Sequence, residues 1–257
     1  MQTLPIGVPT RSFRSPLKRA LARAAEAGAD GVEVDLRNEL RPTDFSQTAL
    51  RELRRMLEDH RLRVLAATFP TRRPLGDPDD LERRVLAIGE AMAFAYKLGA
   101  RVLTVRAGAP SGETGADSLA EALRLLGARG ERVGVRPALV SGDPPDTQLD
   151  LCRRAGDGPV GLSLHPLLLI GRGVACPEAA AKLGAQVAHV YAVDAVGDTS
   201  AASGATEVEL GRGEADFDEV LATLEEHGYR GPLIVDRTTG PDPVADIENA
   251  IAYLRSL

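Results

Sequence analysis

The feature that most constrains this chain is a junction that recurs four times. An amphipathic helix runs out at a glycine, and a β-branched strand begins two or three residues later. The copies are Ala27-Gly28-Ala29-Asp30-Gly31-Val32-Glu33-Val34, Lys97-Leu98-Gly99-Ala100-Arg101-Val102-Leu103-Thr104-Val105, Lys182-Leu183-Gly184-Ala185-Gln186-Val187-Ala188-His189-Val190 and, more loosely, His227-Gly228-Tyr229-Arg230-Gly231-Pro232-Leu233-Ile234-Val235. Glycine stops a helix because it enters the left-handed region without a Cβ clash. Repeated αβ units build a parallel sheet, and such a sheet carries its chemistry at the C-terminal ends of its strands. Functional residues are therefore sought just after each strand.

Strands are predicted over Leu4–Val8, Gly31–Asp35, Val64–Phe69, Arg101–Arg106, Val133–Val140, Val160–His165, Val187–Val193 and Leu233–Asp236. Between them lie helical stripes such as Leu50, Leu53 and Leu57, or Leu81, Val85, Ile88, Met92 and Ala95. Asp77-Pro78 and Asp242-Pro243 open helices, and the longest irregular stretch runs from Asp194 to Glu214. Eight strands alternate with eight helices, and no Pro/Ser linker divides them. The 257 residues suit one (β/α)₈ barrel, which takes about 250. An open doubly wound sheet is the alternative. Its glycine fingerprint is missing after the first strand, where the chain reads Gly7-Val8-Pro9-Thr10-Arg11. The expectation is an α/β fold, a single-domain TIM barrel over residues 1–257.

A net charge of −6 and a pI near 5.4 argue against a general binder of nucleic acid or of anionic membranes. Two cysteines, Cys152 and Cys176, make neither a disulfide framework nor a zinc motif and read as reduced, buried thiols. Met1 to Val8 lacks a basic region followed by an apolar run, and no stretch reaches the ~20 apolar residues of a spanning helix. A soluble, cytoplasmic protein without nucleic-acid or membrane partners is expected, its oligomeric state open.

The strand ends offer Glu33, Asp35 and Arg37; Thr68, Arg72 and Arg73; Arg106; Ser141 and Asp143; His165; His189 and Asp194; and Asp236 and Arg237. His165, His189 and Asp236 end three neighbouring strands. Imidazole with carboxylate suits Mn²⁺, Co²⁺, Zn²⁺ or Fe²⁺ better than Mg²⁺. The alternative is that His189 packs inside the barrel and His165 caps a strand end. Arg37, Arg72, Arg73, Arg106, Arg212 and Arg237 form a second set, and guanidinium forks bind carboxylate and phosphate. Either they converge on an anion or they pair with Asp35, Asp143 and Glu209. In Gly211-Arg212-Gly213 the flanking glycines let backbone N–H groups approach an anion. A Ser-His-Asp site using Ser141 or Ser163 lacks a G-x-S-x-G elbow, and neither cysteine has a nearby histidine in sequence.

Gly28-Ala29-Asp30-Gly31-Val32-Glu33, Leu98-Gly99-Ala100-Arg101-Val102, His189-Val190-Tyr191-Ala192-Val193-Asp194, Leu210-Gly211-Arg212-Gly213-Glu214-Ala215-Asp216-Phe217 and Gly228-Tyr229-Arg230-Gly231 together resemble the sugar phosphate isomerase/epimerase group, the xylose-isomerase-like TIM barrels. The resemblance covers nearly the whole chain. It implies a divalent metal held by Glu, Asp, His and Glu on the fifth to eighth strands, with the glutamates moving protons through an enediolate. Here those positions read Val140, His165, His189 and Asp236. Valine neither binds metal nor takes a proton, and one general acid–base step is worth roughly 10²–10⁴-fold.

The resemblance implies an isomerase or epimerase of a small sugar, sugar acid or sugar phosphate. Asp236 and His165 would be catalytic, and His165, His189 and Asp236 would hold a metal, if one is bound at all. Glu33, Arg37, Arg106, Arg212 and Arg237 would bind substrate. The runner-up is a non-catalytic barrel that binds a small anionic metabolite. A third class, metal-dependent abasic-site endonuclease, shares the barrel but needs more His and acidic ligands than this chain places together.

Overall fold

A computed structural model describes residues 4–108, 112–240 and 242–257. Residues 1–3 of the N-terminal stretch read above lie outside the described residues.

Eight parallel strands close into a barrel. They are β1 (Ile6–Pro9), β2 (Gly31–Asp35), β3 (Arg63–Thr68), β4 (Val102–Arg106), β5 (Arg136–Val140), β6 (Gly161–Leu164), β7 (Val187–Ala192) and β10 (Leu233–Val235). A two-stranded antiparallel hairpin, β8 (Asp194–Gly197) and β9 (Ala205–Val208), stands outside it. Around the barrel run α1 (Leu17–Glu26), α2 (Gln47–Asp59), α3 (Leu81–Leu98), α4 (Gly112–Val133), α5 (Pro145–Arg154), α6 (Pro166–Ile170), α7 (Cys176–Leu183), α8 (Phe217–Glu226) and α9 (Pro243–Ser256). β1 closes the ring by pairing with β10 at Ile6–Leu233 and Gly7–Ile234. One apolar core lies between the helices and the outer faces of the strands.

The four junction glycines all have positive φ: 81° at Gly28, 98° at Gly99, 46° at Gly184 and 75° at Gly228. A Cβ would meet nothing within 4 Å at Gly28, Gly99 or Gly228, so conformation rather than space demands glycine there.

The elements differ from the sequence reading in four places. Val133 is the last residue of α4; Gly134, at φ 78°, stops that helix, and β5 starts only at Arg136. The helix expected from Asp77-Pro78 starts at Leu81, behind the left-handed Asp80. His165 heads the short helix α6, which the pattern did not show. The stretch read as irregular contains the β8–β9 hairpin.

Candidate active site at the barrel mouth

The C-terminal mouth is built around Arg11. It sits in the 3₁₀ turn Thr10–Phe13 that follows β1. Closure brings it between two neighbouring strands, β2 and β10. Its Nη1 donates to Glu33 Oε1 at 2.8 Å and its Nη2 to Asp236 Oδ2 at 3.0 Å. Glu33 lies inside the mouth on β2, and Asp236 follows the last residue of β10; both are buried. Such charge-assisted bonds are roughly twice as strong as neutral ones.

Glu33 anchors a polar layer that crosses the barrel. The Tyr191 hydroxyl donates to Glu33 Oε2 at 2.9 Å and lies 3.2 Å from Thr104 Oγ1. His189 Nε2 faces the same Oε2 at 3.5 Å, an electrostatic contact rather than a formed hydrogen bond. Ser163 Oγ is 2.9 Å from His189 Nδ1. Alternation explains the layer, since residues two apart on a strand share a face. His189 and Tyr191 therefore both point inward from β7. Ser163, His189 and Glu33 form a Ser–His–Glu chain, but all three are fully enclosed, so the serine has no approach for a substrate. Burial pushes the Cys176 thiol up to about 12 and also raises Cys152, so neither is a ready thiolate.

The charge states follow from this packing. Burial alone would raise the Glu33 carboxyl; the facing His189 and the Arg11 guanidinium outweigh it and hold it at about 2. Burial lowers His165 to about 3, helped by the positive charge of Arg106 and by His189, so its imidazole is neutral. Burial also raises Asp236, against Arg11 and with the help of Glu33 and Glu207. Three buried atoms here have no hydrogen-bond partner among the described residues: His165 Nδ1, His189 Nε2 and Asp236 Oδ1.

Those atoms belong to the three residues read as metal ligands. The Tyr191 ring, however, packs against both imidazoles, 4.8 Å from His165 and 4.5 Å from His189 between centroids. Among the described residues no group of three or more His, Cys, Asp or Glu side chains is arranged to hold a metal ion. Val140 packs in an apolar cluster with Tyr191, Val193, Leu167 and Leu168 and supplies no donor. Arg11 already ties Glu33 to Asp236. The donor set does not fit the divalent metal that the resemblance implied. His189 is also not at a strand end: it is the third of six residues in β7 and wholly buried.

The arginines do not converge. Arg212 is 77% exposed and pairs at 3.5 Å with Glu209. Arg237 is held by Glu207 and Asp246, both at 2.9 Å. Arg37 donates to Pro70 O at 2.8 Å and lies over the Phe69 ring. Arg72 and Arg73 are exposed, the latter beside Asp77 and Asp79. Arg106 remains at the mouth, exposed at the end of β4, its charge felt by both His165 and Asp236. Asp35 and Asp143 serve their own loops instead of pairing with arginine. The Gly211-Arg212-Gly213 turn does bind an anion, but one from the chain. Asp194 accepts from the N–H groups of Gly211, Gly213, Ala195 and Ala215 at 2.8–3.0 Å.

Residues 21–257 match the family described as xylose isomerase-like TIM barrel. The chain belongs to that family. Solved structures similar to this xylose isomerase-like barrel include a xylose isomerase domain protein from Planctomyces limnophilus, 22% identical, covering 99% of this chain and 95% of that one at a TM-score of 0.81. A xylose isomerase-like TIM barrel protein from Mycobacterium smegmatis, in complex with magnesium, is 18% identical over 99% and 98% of the two chains at 0.82. D-Allulose 3-epimerase from Methylomonas sp., in complex with D-allulose, is 17% identical over 100% and 98% at 0.75. At these identities the likeness is one of fold. No curated protein matches the chain in sequence.

Arg11, Tyr191 and Thr104 were not singled out as site residues in the sequence, and Ser163 was weighed there only as a nucleophile and set aside. Inward parity with His189 on β7 would have marked Tyr191. Arg11 carries no local signal, because its partner Asp236 lies 225 residues away.

Proposed function

We propose that this barrel transfers a proton on a small carbohydrate, as an isomerase of a sugar, sugar acid or sugar phosphate. The observation that carries the reading is Asp236: a buried carboxylate with a raised proton affinity and a free Oδ1, at the barrel mouth with the neutral imidazole of His165. A carboxylate base with a neutral imidazole electrophile is an established pairing for enediolate chemistry. Asp236 Oδ1 takes the proton from the carbon next to the substrate carbonyl. The C–H electron pair becomes the enediolate double bond, and the carbonyl pair moves onto oxygen beside His165. The proton of the neighbouring hydroxyl passes to that oxygen by way of the His165 imidazole. Return of a proton from Asp236, exchanged in part with solvent, to the neighbouring carbon as the second oxygen becomes the carbonyl completes a 1,2-isomerisation. Glu33 is a poor second base, since it is held at about 2 and its oxygens are taken by Arg11 and Tyr191. One base on one face supports isomerisation over epimerisation, which needs a base and an acid on opposite faces. Membership of the family, and an epimerase among the similar folds, support a carbohydrate as substrate.

The test is deuterium exchange in D₂O, followed by proton NMR over a panel of aldoses, ketoses and their acid and phosphate forms. Deuterium next to the carbonyl is expected, with a loss of roughly 10²–10⁴-fold in Asp236→Asn. Ligand binding without exchange for any member would instead favour the non-catalytic metabolite-binding barrel. That reading has its own support in Val140 and in the tying of Glu33 and Asp236 by Arg11.

A further inference from the structure

We infer that Arg11 is the resident cation of this mouth, standing where a divalent ion would otherwise be needed to hold Glu33 and Asp236 together. The inference rests on the proton-transfer reading for its chemistry, but its test reads metal binding and not turnover.

Three observations carry it. The first is geometric: one guanidinium bonds both carboxylates, at 2.8 and 3.0 Å, and so occupies the space between them. The second is electrostatic. Glu33 is fully enclosed, and a buried carboxylate needs a partner charge, which its 2.8 Å contact with the Arg11 guanidinium provides. Arg11 carries this charge at every working pH: burial works against it, but the same two carboxylates outweigh that and raise its proton affinity further. The third is the donor set. Val140 stands at the strand end of β5, the Tyr191 ring packs against both imidazoles, and no three-ligand group exists among the described residues. A dication placed near Arg11 would meet its charge at close range and would have to displace two formed ion pairs. The Arg11 side chain is 34% exposed, so it reaches the mouth from which a substrate enters. There its remaining N–H groups are donors for the oxygen that gains charge as the enediolate forms. A fixed guanidinium so placed acts without metal, and it favours substrates whose reacting oxygens are adjacent and become anionic.

The experiment titrates Mn²⁺ into metal-stripped wild type, Asp236→Asn, Arg11→Ala, Arg11→Gln and the double variant Arg11→Ala/Asp236→Asn, by calorimetry and by thermal shift. The wild type is expected to bind no stoichiometric Mn²⁺. Removing the guanidinium leaves two buried carboxylates without the cation that bonds them both, so Mn²⁺ binding should strengthen by roughly 10²-fold or more, from the Coulomb term alone. The double variant should lose that gain. Arg11→Gln keeps more of the side chain than Arg11→Ala, without its charge, and covers the case in which Arg11→Ala does not fold. Stoichiometric Mn²⁺ binding by the wild type that Asp236→Asn abolishes would overturn the inference, as would an absence of gain in the Arg11 variants that fold. Neither result bears on the deuterium-exchange test, so a failed isomerase reading and a failed resident cation remain distinguishable.

Discussion

Enclosing His165 as a neutral imidazole makes a prediction about acid stability. Its proton affinity is lowered from 6.5 to about 3, first by burial and then by Arg106 and His189. The unfolded chain takes a proton there as pH falls through 6.5, and the native protein does not. The native form is therefore favoured fully above 6.5, and that advantage is lost as pH falls toward 3. By linkage, acidification from pH 7 to pH 5 should remove about 2 kcal/mol of stability through this one residue. A folded value one unit higher would leave the native ring still mostly neutral at pH 5, so the figure barely changes. Glu33 adds nothing in this window: its depressed carboxyl contributes stability above 4.5 that is lost only as pH falls from there toward 2. Asp236 has the opposite sign, because its raised carboxyl favours the protonated native state, so its stability contribution is lost as pH rises.

His165→Asn removes the titration and leaves Asp236 and Glu33 in place. Urea unfolding of both proteins at pH 7, 6 and 5 isolates the His165 contribution, whatever the variant loses in absolute stability. The wild type should lose about 2 kcal/mol more than the variant between pH 7 and pH 5, at unchanged m-values. Parallel pH profiles for the two proteins would mean that His165 is protonated in the folded state, and the neutral electrophile would fall with it.

Three other outcomes are expected. Gly99→Ala should cost about 1–2 kcal/mol by thermal or urea unfolding, because φ is 98° and the site is otherwise open. Asp194→Ala should cost more, about 3 kcal/mol or above, since it strips the acceptor from four backbone N–H groups around a buried carboxylate; Asp194→Asn should recover part of the loss. In a thermal-shift screen of sugars against their phosphates or acids, Arg106→Gln should weaken the anionic partners by roughly 10-fold or more, while Arg212→Gln changes nothing measurable.

The barrel was legible because its signals are local. Each junction glycine marks a helix end by its own conformation, and the apolar stripes of α2 and α3 repeat within a few turns. The rim residues His165, Arg106 and Asp236 were legible for the same reason: each lies at the end of a short strand-like run. The β8–β9 hairpin was less so. Its Asp194 reads as a strand-end carboxylate, and only the folded loop shows it capping residues 211–215. Arg212 and Arg237 look like anion binders in sequence because guanidinium types are visible and their partners are not. Glu207, which takes Arg237, arrives from a strand that the pattern did not reveal.

What local pattern cannot carry is the pairing across the closed ring. The Arg11 side chain meets Glu33 and Asp236 only because β1 lies between β2 and β10. His189 meets Glu33 across the width of the barrel. Reading strand ends one at a time assigns each carboxylate the role that its position usually has. The physics of the mouth depends instead on the sum of charges there. Arg11 and Arg106 face Glu33 and Asp236, and His165 is neutral. With Arg11 bonded to both carboxylates and the charge of Arg106 felt by Asp236, each carboxylate has a cationic partner before any ion arrives. A divalent cation would add charge that nothing there is placed to compensate. A substrate that becomes anionic on losing a proton to Asp236 preserves the balance, since protonation of the carboxylate removes one negative charge as the enediolate acquires one.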